Sequence, residues 1–371
     1  MRVILLIVRT GAVVAVLAAL ASLLDDGPTP RLLAAAGRAT TPTATKPRVA
    51  HAPPKGSLTF AAAGDIVMGS TPNLPPDGGA SFFTAVSPDL QADVTLGNLE
   101  GTLSTGGSSK CRAGAVQCFA FHTPPSYARW LKDAGFTVLN LANNHAYDFG
   151  PGAERETVRA LDRYGLLHTG RPAEIAIQRV NGIRVAVLGF APYRWAQSLT
   201  NIAMAKRLVR LASARADVVV VMMHAGAEGV SRQHVTPGTE YFLGENRGNA
   251  LRFSHAVIDA GADLVVGSGP HVLRGIEWYR RRLIAYSLGN FGGYKVFGLG
   301  GALSTSAILH VTLRGDGSID SAHLVATQLV GEGTPALDPS GAAYRLVRRL
   351  SAQDFGSGGA TVSSAGTIGH A

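Results

Sequence analysis

The chain has 371 residues, 46% of them hydrophobic and 16% charged, and carries a formal net charge of +9. That balance excludes a disordered or collagen-like polymer and is enough for one large core. The basic residues are scattered, with no basic–aromatic stripe, which excludes nucleic acid and leaves surface solubility, an anionic wall polymer or an anionic membrane surface as readings of the charge.

The chain opens with Arg2 and Arg9 around a first short apolar run. A longer one follows from Gly11 to Leu24, and Asp25-Asp26 close it. Positive, then apolar, then acidic is the pattern of an export signal. Ala19-Leu20-Ala21 matches a small-residue cleavage site, and the same run left uncut would serve as a membrane anchor. Residues 1–26 are therefore read as a signal peptide or an N-terminal anchor, and either places the domain outside the cytoplasmic membrane. Residues 27–56 are rich in Pro, Ala, Thr, Lys and Arg and are expected to form a disordered spacer. The folded domain is expected over 57–352, and the Gly/Ser/Ala/Thr-rich residues 353–371 as a flexible tail.

One pattern recurs from Leu58 onward. A short apolar run ends abruptly in Gly, Asn, Asp, Glu or His. Leu58–Ala63 runs into Gly64-Asp65, and Asp93–Leu96 into Gly97-Asn98-Leu99-Glu100. Val138–Leu141 runs into Ala142-Asn143-Asn144-His145. Asp217–Met223 runs into His224, and Asp263–Val266 into Gly267-Ser268-Gly269-Pro270-His271. Such runs suit strands buried on both faces. Helical patterns lie between them, at Pro125–Ala134, Gly152–Tyr164, Ile202–Ala214 and Gly248–Ala260. In sheets covered by helices, ligands sit outside the carboxyl ends of the strands, where these polar residues fall.

The last third alternates instead. Gly275–Tyr279 and Leu283–Leu288 read as a hairpin around Arg280-Arg281-Arg282. Ser304–Leu313 and Ile319–Leu329 flank a second turn at Arg314-Gly315-Asp316-Gly317, and Asp338–Ala352 reads as a closing helix. Parallel and antiparallel halves together predict a mixed, two-sheet α/β sandwich. Cys111 and Cys118 share one loop. In an oxidising compartment they would close a disulfide, with a zinc pair beside His122 as the alternative.

Asp65, Glu100, Asn144, His224 and His271 supply carboxylate, amide and imidazole ligands from five strand ends, a set that suits a divalent metal. Each alone has a structural explanation, such as a turn cap or a satisfied core histidine. Their convergence predicts one shared site, with His145 beside it.

The stretches Gly64-Asp65-Ile66-Val67-Met68, Asn98-Leu99-Glu100, Leu141–His145 with Asp148-Phe149-Gly150, His224-x-Gly226-x-Glu228, Gly261–Gly267 with Pro270-His271-Val272, and Tyr286–Phe291 resemble, in order and spacing, the capsule-synthesis CapA family of poly-γ-glutamate synthesis proteins. The resemblance covers roughly Leu58 to Leu329. That family is similar to the calcineurin-like metallophosphoesterases, which implies a four-layered α/β/β/α sandwich. It further implies Glu100 as a bridging carboxylate, Asp65 and His271 completing one metal site, Asn144 and His224 completing another, and His145 as general acid. Asn98, Asn143, Glu228 and Asn290 would line the substrate pocket. One or two divalent ions (Mn, Zn or Fe) would be the cofactor, and two-metal sites of this kind activate water and clamp the attacking and leaving oxygens. The implied partners are an anionic cell-surface polymer and a membrane synthesis or export complex. Four departures stand out: Val67 and Gly269 where histidines are usual, Ser70 for an arginine, and Ala225 for a tryptophan. They predict either a metal-dependent hydrolase or transferase with a reduced ligand set, or a non-catalytic accessory that holds polymer in a degenerate site.

Overall fold

Burial on both faces of each central strand sets the architecture. In the Val218–His224 strand, Val220 and Met222 face one hydrophobic cluster while Val219, Val221 and Met223 face another. The Ser57–Val67 strand does the same with Phe60 and Ala62 against Ala61 and Ala63. Successive side chains on a strand point to opposite faces, so both strands are interior members of covered sheets. The computed structural model describes residues 56–371. The expected signal or anchor and nearly all of the expected spacer lie outside the described residues, and among those described no helix is long and apolar enough to cross a membrane.

Two mixed sheets carry the fold. The eight-stranded sheet runs in the order Thr334–Leu337, Ile319–Val330, Thr305–Arg314, Ser57–Val67, Val94–Leu99, Val138–Asn140 and Leu167–Thr169, and Asn290–Gly293 pairs with the end of Ser57–Val67. The six-stranded sheet runs Ile276–Tyr279, Arg282–Ala285, Leu264–Ser268, Val218–His224, Ile183–Phe190 and Ala176–Val180. Parallel pairs occupy the site-bearing half of each sheet, and antiparallel pairs finish the edges. The sheets face each other across a shared core that includes Phe60, Leu96 and Val138 from one and Val187, Val220 and Val266 from the other.

Helices cover the outer faces. Helices α1 (Ala128–Ala134) and α2 (Gly150–Arg163) bury Leu131 and Leu161 against the larger sheet. Helices α3 (Ile202–Ser213) and α4 (Ala250–Asp259) bury Val209, Phe253 and Val257 against the smaller one. Asn201 and Asn249 cap α3 and α4 by accepting from the backbone N–H groups of Met204 and Arg252, which satisfies one of the free donors at each helix start. The result is the four-layered α/β/β/α sandwich that the resemblance implies. The Ala176–Val180 and Ile183–Phe190 strands have no counterpart among the sequence-predicted runs. Ile183–Phe190 ends in Phe190-Ala191, with no ligand-type residue to mark it.

The C-terminal segment corrects an expectation. Helix α5 (Ala342–Phe355) runs beyond residue 352, and the residues after it are not a free tail. Thr361–Val362 and Ile368–Gly369 pair as a small hairpin, with Val362 and Ile368 buried in the inter-sheet core beside Ala343 and Val347 of α5. The backbone of Ala360 donates to the Ile276 carbonyl at 2.9 Å, and Trp278 Nε1 donates to the Gly369 carbonyl at 2.9 Å. A small, polar composition conceals the segment, because two apolar side chains and a few backbone bonds at an open core edge are enough to dock it.

Candidate metal centre

The site forms where strands of both sheets end at the same pole. Ser57–Val67 delivers Asp65, and the residue after Val94–Leu99 is Glu100. Val218–His224 ends on His224, and Leu264–Ser268 leads into Gly269-Pro270-His271. Gly64 makes the first of these possible. A Cβ there would lie 1.9 Å from the Gly289 carbonyl oxygen, so only glycine lets the strand approach closely enough for Asp65 N to donate to that oxygen at 3.0 Å.

Asp65 is fully buried and heavily bonded. Its Oδ1 accepts from Asn98 Nδ2 at 2.8 Å, and its Oδ2 accepts from Gly269 N and His271 Nδ1, each at 3.2 Å. Burial opposes its ionisation, but hydrogen bonds and charges from His224 and His271 outweigh burial and hold the carboxyl below the usual carboxylate range. Glu100 is the opposite case. It is 1% exposed and neither carboxylate oxygen has a hydrogen-bond partner. Burial, then the Asp65 charge, push its pKa well above the ordinary value.

Three imidazoles face Glu100 Oε1, with His224 Nε2 at 3.7 Å, His271 Nε2 at 3.8 Å and His145 Nε2 at 3.9 Å. Asp65 and Asn290 Oδ1 (2.9 Å) hold the His271 proton on Nδ1, so Nε2 is turned toward Glu100 and Glu228 Oε2, the latter 3.7 Å away. Burial alone would lower its pKa, but the charges of Glu100, Asp65 and Glu228 raise it to about 10. His224 is lowered to about 4, chiefly by burial. His145 Nδ1 donates to Asp148 Oδ2 at 2.7 Å, and burial holds this imidazole below its usual range despite Asp148. The resting ring therefore carries its proton on Nδ1 and a lone pair on Nε2. Work as a general acid requires a second proton, which Asp148 would stabilise.

The donor set fits a divalent cation. Ligand-capable atoms of Asp65, Glu100 and His224 lie within 4.8 Å of one another. Glu100 Oε1 and Oε2 and Asn144 Oδ1 are buried and without hydrogen-bond partners, and buried oxygens in that condition are costly unless something positive meets them. A histidine whose Nδ1–H is held by a carboxylate and whose Nε2 faces carboxylates without hydrogen-bonding them, as in His271, is oriented for ligation once a cation displaces its Nε2 proton.

A cavity of about 490 Å³ lies beside this group and is lined by Asn144, His145, Glu228, Arg247, Lys110 and Phe119 among others. Glu228, expected in the pocket, lines it, as do Asn144 and His145, expected as a metal ligand and as the general acid. Three other expected pocket residues do not. Asn98, Asn143 and Asn290 are fully buried supports. Asn98 Oδ1 accepts from Asn140 Nδ2 at 2.8 Å and Asn143 Nδ2 at 3.2 Å, while Asn143 Oδ1 accepts from His145 N at 2.9 Å. Asn290 Nδ2 donates to the His271 and Leu303 carbonyls. Every amide is consumed in fixing a ligand or the loop that bears one, so none is free to meet a substrate. Cys111 and Cys118 are disulfide-bonded, and Cys118 lines the cavity rim.

Two side chains of the site carry no signal in the strand-end pattern. Lys110 Nζ lies 2.6 Å from Asp148 Oδ1, and Arg247, 1% exposed, lies 2.6 Å from Glu228 Oε1 through its Nη1. Lys110 comes from the disulfide loop, and Arg247 follows a short exposed strand, Glu245–Asn246, with no apolar run to mark it. Adjacency to Cys111 was the one available hint for Lys110.

Fold and site together define a four-layered α/β/β/α protein with a candidate divalent-metal centre at the strand ends. The chain belongs to the family described as bacterial capsule synthesis protein PGA_cap, which matches residues 59–294. It is 32% identical over 285 residues to a capsule biosynthesis protein CapA of Bacillus anthracis, covering 70% of this chain and 65% of that one. It is 32% identical over 248 residues to a PGA biosynthesis protein CapA of Bacillus subtilis, covering 62% of this chain and 61% of that one. The matches thus span less than two thirds of these relatives' lengths. A probable polyglutamine synthesis accessory protein of Mycobacterium tuberculosis is 30% identical over 248 residues, covering 57% of this chain and 60% of its own. Among solved structures, a hypothetical protein from Thermus thermophilus is similar with a TM-score of 0.45 at 14% identity, over 73% of this chain and 99% of that one. A putative 5'-nucleotidase from Staphylococcus aureus in complex with alpha-ketoglutarate is similar with a TM-score of 0.45 at 14% identity, over 80% of this chain and 58% of that one.

Proposed function

We propose that this chain is an extracytoplasmic, metal-dependent hydrolase or transferase that acts on an anionic surface polymer of the poly-γ-glutamate kind during capsule synthesis. The observation that carries the reading is Glu100: a buried carboxylate with two unpartnered oxygens, faced by three imidazoles, one of which, His145, lines an open cavity. When bound, a divalent cation supplies Lewis-acid polarisation and a lowered pKa for a coordinated water. Asp65, Glu100, Asn144, His224 and His271 are the residues that would hold it. Asp148 orients His145 toward the same carboxylate, where Nε2 would take a proton from the attacking water and give it to the leaving group as its bond to the attacked centre breaks. Glu228, on the cavity wall, orients substrate. The family membership and the names of the relatives support the polymer assignment. The apolar N-terminal run and the disulfide support the extracytoplasmic one.

A second reading, a polymer-holding accessory of a membrane synthesis or export complex, draws on the reduced ligand set at Gly269. One assay separates the two. The purified full-length protein, loaded with Mn²⁺ or Zn²⁺, is expected to cleave a phosphoester or polyglutamate, and Glu100→Ala and His271→Ala are expected to abolish turnover. Absence of turnover with every loading, together with polymer binding that survives His145→Ala, would establish the accessory reading instead.

A further inference from the structure

We infer that the Arg247 guanidinium is a built-in cation of this centre, so that the site holds one divalent ion where its donors would otherwise accept two. The inference rests on the metal-centre reading above and adds to it the number of ions and the residue that sets it.

Arg247 reaches the site from the loop before α4, and its side chain is as buried as the ligands themselves. Nη1 donates to Glu228 Oε1 at 2.6 Å. Nη2 donates to the Gly269 carbonyl at 3.3 Å and lies 3.3 Å from His224 Nε2. A guanidinium stays protonated in proteins and has no acceptor. The contact with His224 can therefore only be an N–H directed at the Nε2 lone pair. An imidazole nitrogen has one in-plane lone pair, which cannot serve an N–H and a metal together. The other ring nitrogen is also enclosed by the protein, with Ser268 Oγ at 3.1 Å, Asn98 Nδ2 at 3.3 Å and Asp65 Oδ1 at 3.6 Å from Nδ1. His224 is thus satisfied by the protein itself, whereas His271 keeps Nε2 open and Glu100 keeps both oxygens open.

Residue 269 makes the approach possible. A Cβ there would lie 3.2 Å from the same His224 Nε2 and 3.0 Å from Ala225 N, at a φ of +107° that side chains other than glycine rarely adopt. A side chain at 269 and the guanidinium of Arg247 would crowd the same ring nitrogen. The arginine thus places a fixed positive charge beside Glu100 and Glu228 and withdraws His224 from the five candidate ligands, so that Asp65, Glu100, Asn144 and His271 remain for a single ion.

The test is metal stoichiometry on the full-length chain, stripped with chelator and dialysed against Mn²⁺. Elemental analysis of the wild type is expected to give one ion per chain, and electron paramagnetic resonance the six-line spectrum of an isolated Mn²⁺. Arg247→Gln, close in size but neutral, is expected to take a second ion and show a broadened, spin-coupled spectrum. Arg247→Lys, which keeps the charge, is expected to stay at one. Two ions in the wild type overturn this inference and leave the metal centre standing, as does a folded Arg247→Gln that stays at one ion. Two ions in Arg247→Lys overturn the charge argument. No ion in the wild type overturns the metal centre and this inference together. Circular dichroism checks that Arg247→Gln folds, and if it does not, the wild-type stoichiometry and spectrum decide.

Discussion

Lys110 and Asp148 form an ion pair of 2.6 Å in which the carboxylate is fully buried and the lysine side chain is 35% exposed. The pair ties the disulfide-bonded loop to the histidine that faces the metal site. Asp148 Oδ2 accepts from His145 Nδ1 and from Phe121 N, each at 2.7 Å, while Lys110 N donates to the Asp148 carbonyl at 2.7 Å. One carboxylate thus serves a lysine, a histidine and a backbone amide.

That hub predicts unequal mutational costs. Asp148→Asn puts an NH₂ among donors that need an acceptor, and is expected to cost about 3 kcal/mol, as for a broken buried pair. Lys110→Met leaves Oδ1 unpaired but keeps both bonds to Oδ2, and is expected to cost about 2 kcal/mol. Urea unfolding of both variants measures the difference, and equal losses would show that Asp148 is not the hub.

Glu100 should trade stability for metal binding. Its folded-state pKa is raised by burial and then by Asp65. Its contribution is therefore fully present below the unfolded pKa and is lost as pH rises through the folded value. In Glu100→Gln that alkaline loss disappears, so the cation-free variant is expected to outlast the wild type by about 1–2 kcal/mol at high pH. Added Mn²⁺ should raise the Tm of the wild type and leave the variant unmoved. Thermal unfolding across pH, with and without chelator, reads both effects.

A second pH dependence lies in the antiparallel part of the larger sheet. His310 and His323 stack at 4.7 Å on neighbouring strands, and His310 Nε2 donates to the Asp89 carbonyl at 2.8 Å. Burial lowers the pKa of both, and His323 adds to the lowering of His310. A depressed folded pKa gives stability that is present above the unfolded value, about 6.5, and is lost as pH falls through the folded one. His310→Gln is expected to flatten the fall of Tm between neutral and mildly acidic pH. His323→Gln, more exposed, should flatten it less.

The docked C-terminal hairpin can be tested by removal. Deleting residues 356–371 withdraws Val362 and Ile368 from the inter-sheet core and leaves Trp278 Nε1 without its acceptor. The expected cost is about 3–5 kcal/mol, from two buried aliphatic side chains and a lost hydrogen bond. A urea midpoint unchanged by the truncation would mean that the hairpin adds nothing to the fold.

The sequence by itself determined where the site lies. Five apolar runs ending in Asp65, Glu100, Asn144, His224 and His271 state that strands buried on both faces terminate at one pole, because burial requires the apolar run and exposure at the strand end permits the polar one. It also determined the two-sheet sandwich, through the change from continuous to alternating apolar patterns after residue 275. Only the tertiary structure decided which polar residues face the cavity and which support from behind. Asn98, Asn143 and Asn144 read alike in sequence, yet two spend every amide atom on neighbours and the third keeps Oδ1 unpartnered. The difference depends largely on partners 33 to 45 residues away in the chain, which no local pattern encodes. Arg247 and Lys110 were invisible for the same reason. Long side chains on loops reach the site through space, and their roles are fixed by what they meet there, at Glu228, Gly269 and His224 for one and at Asp148 for the other.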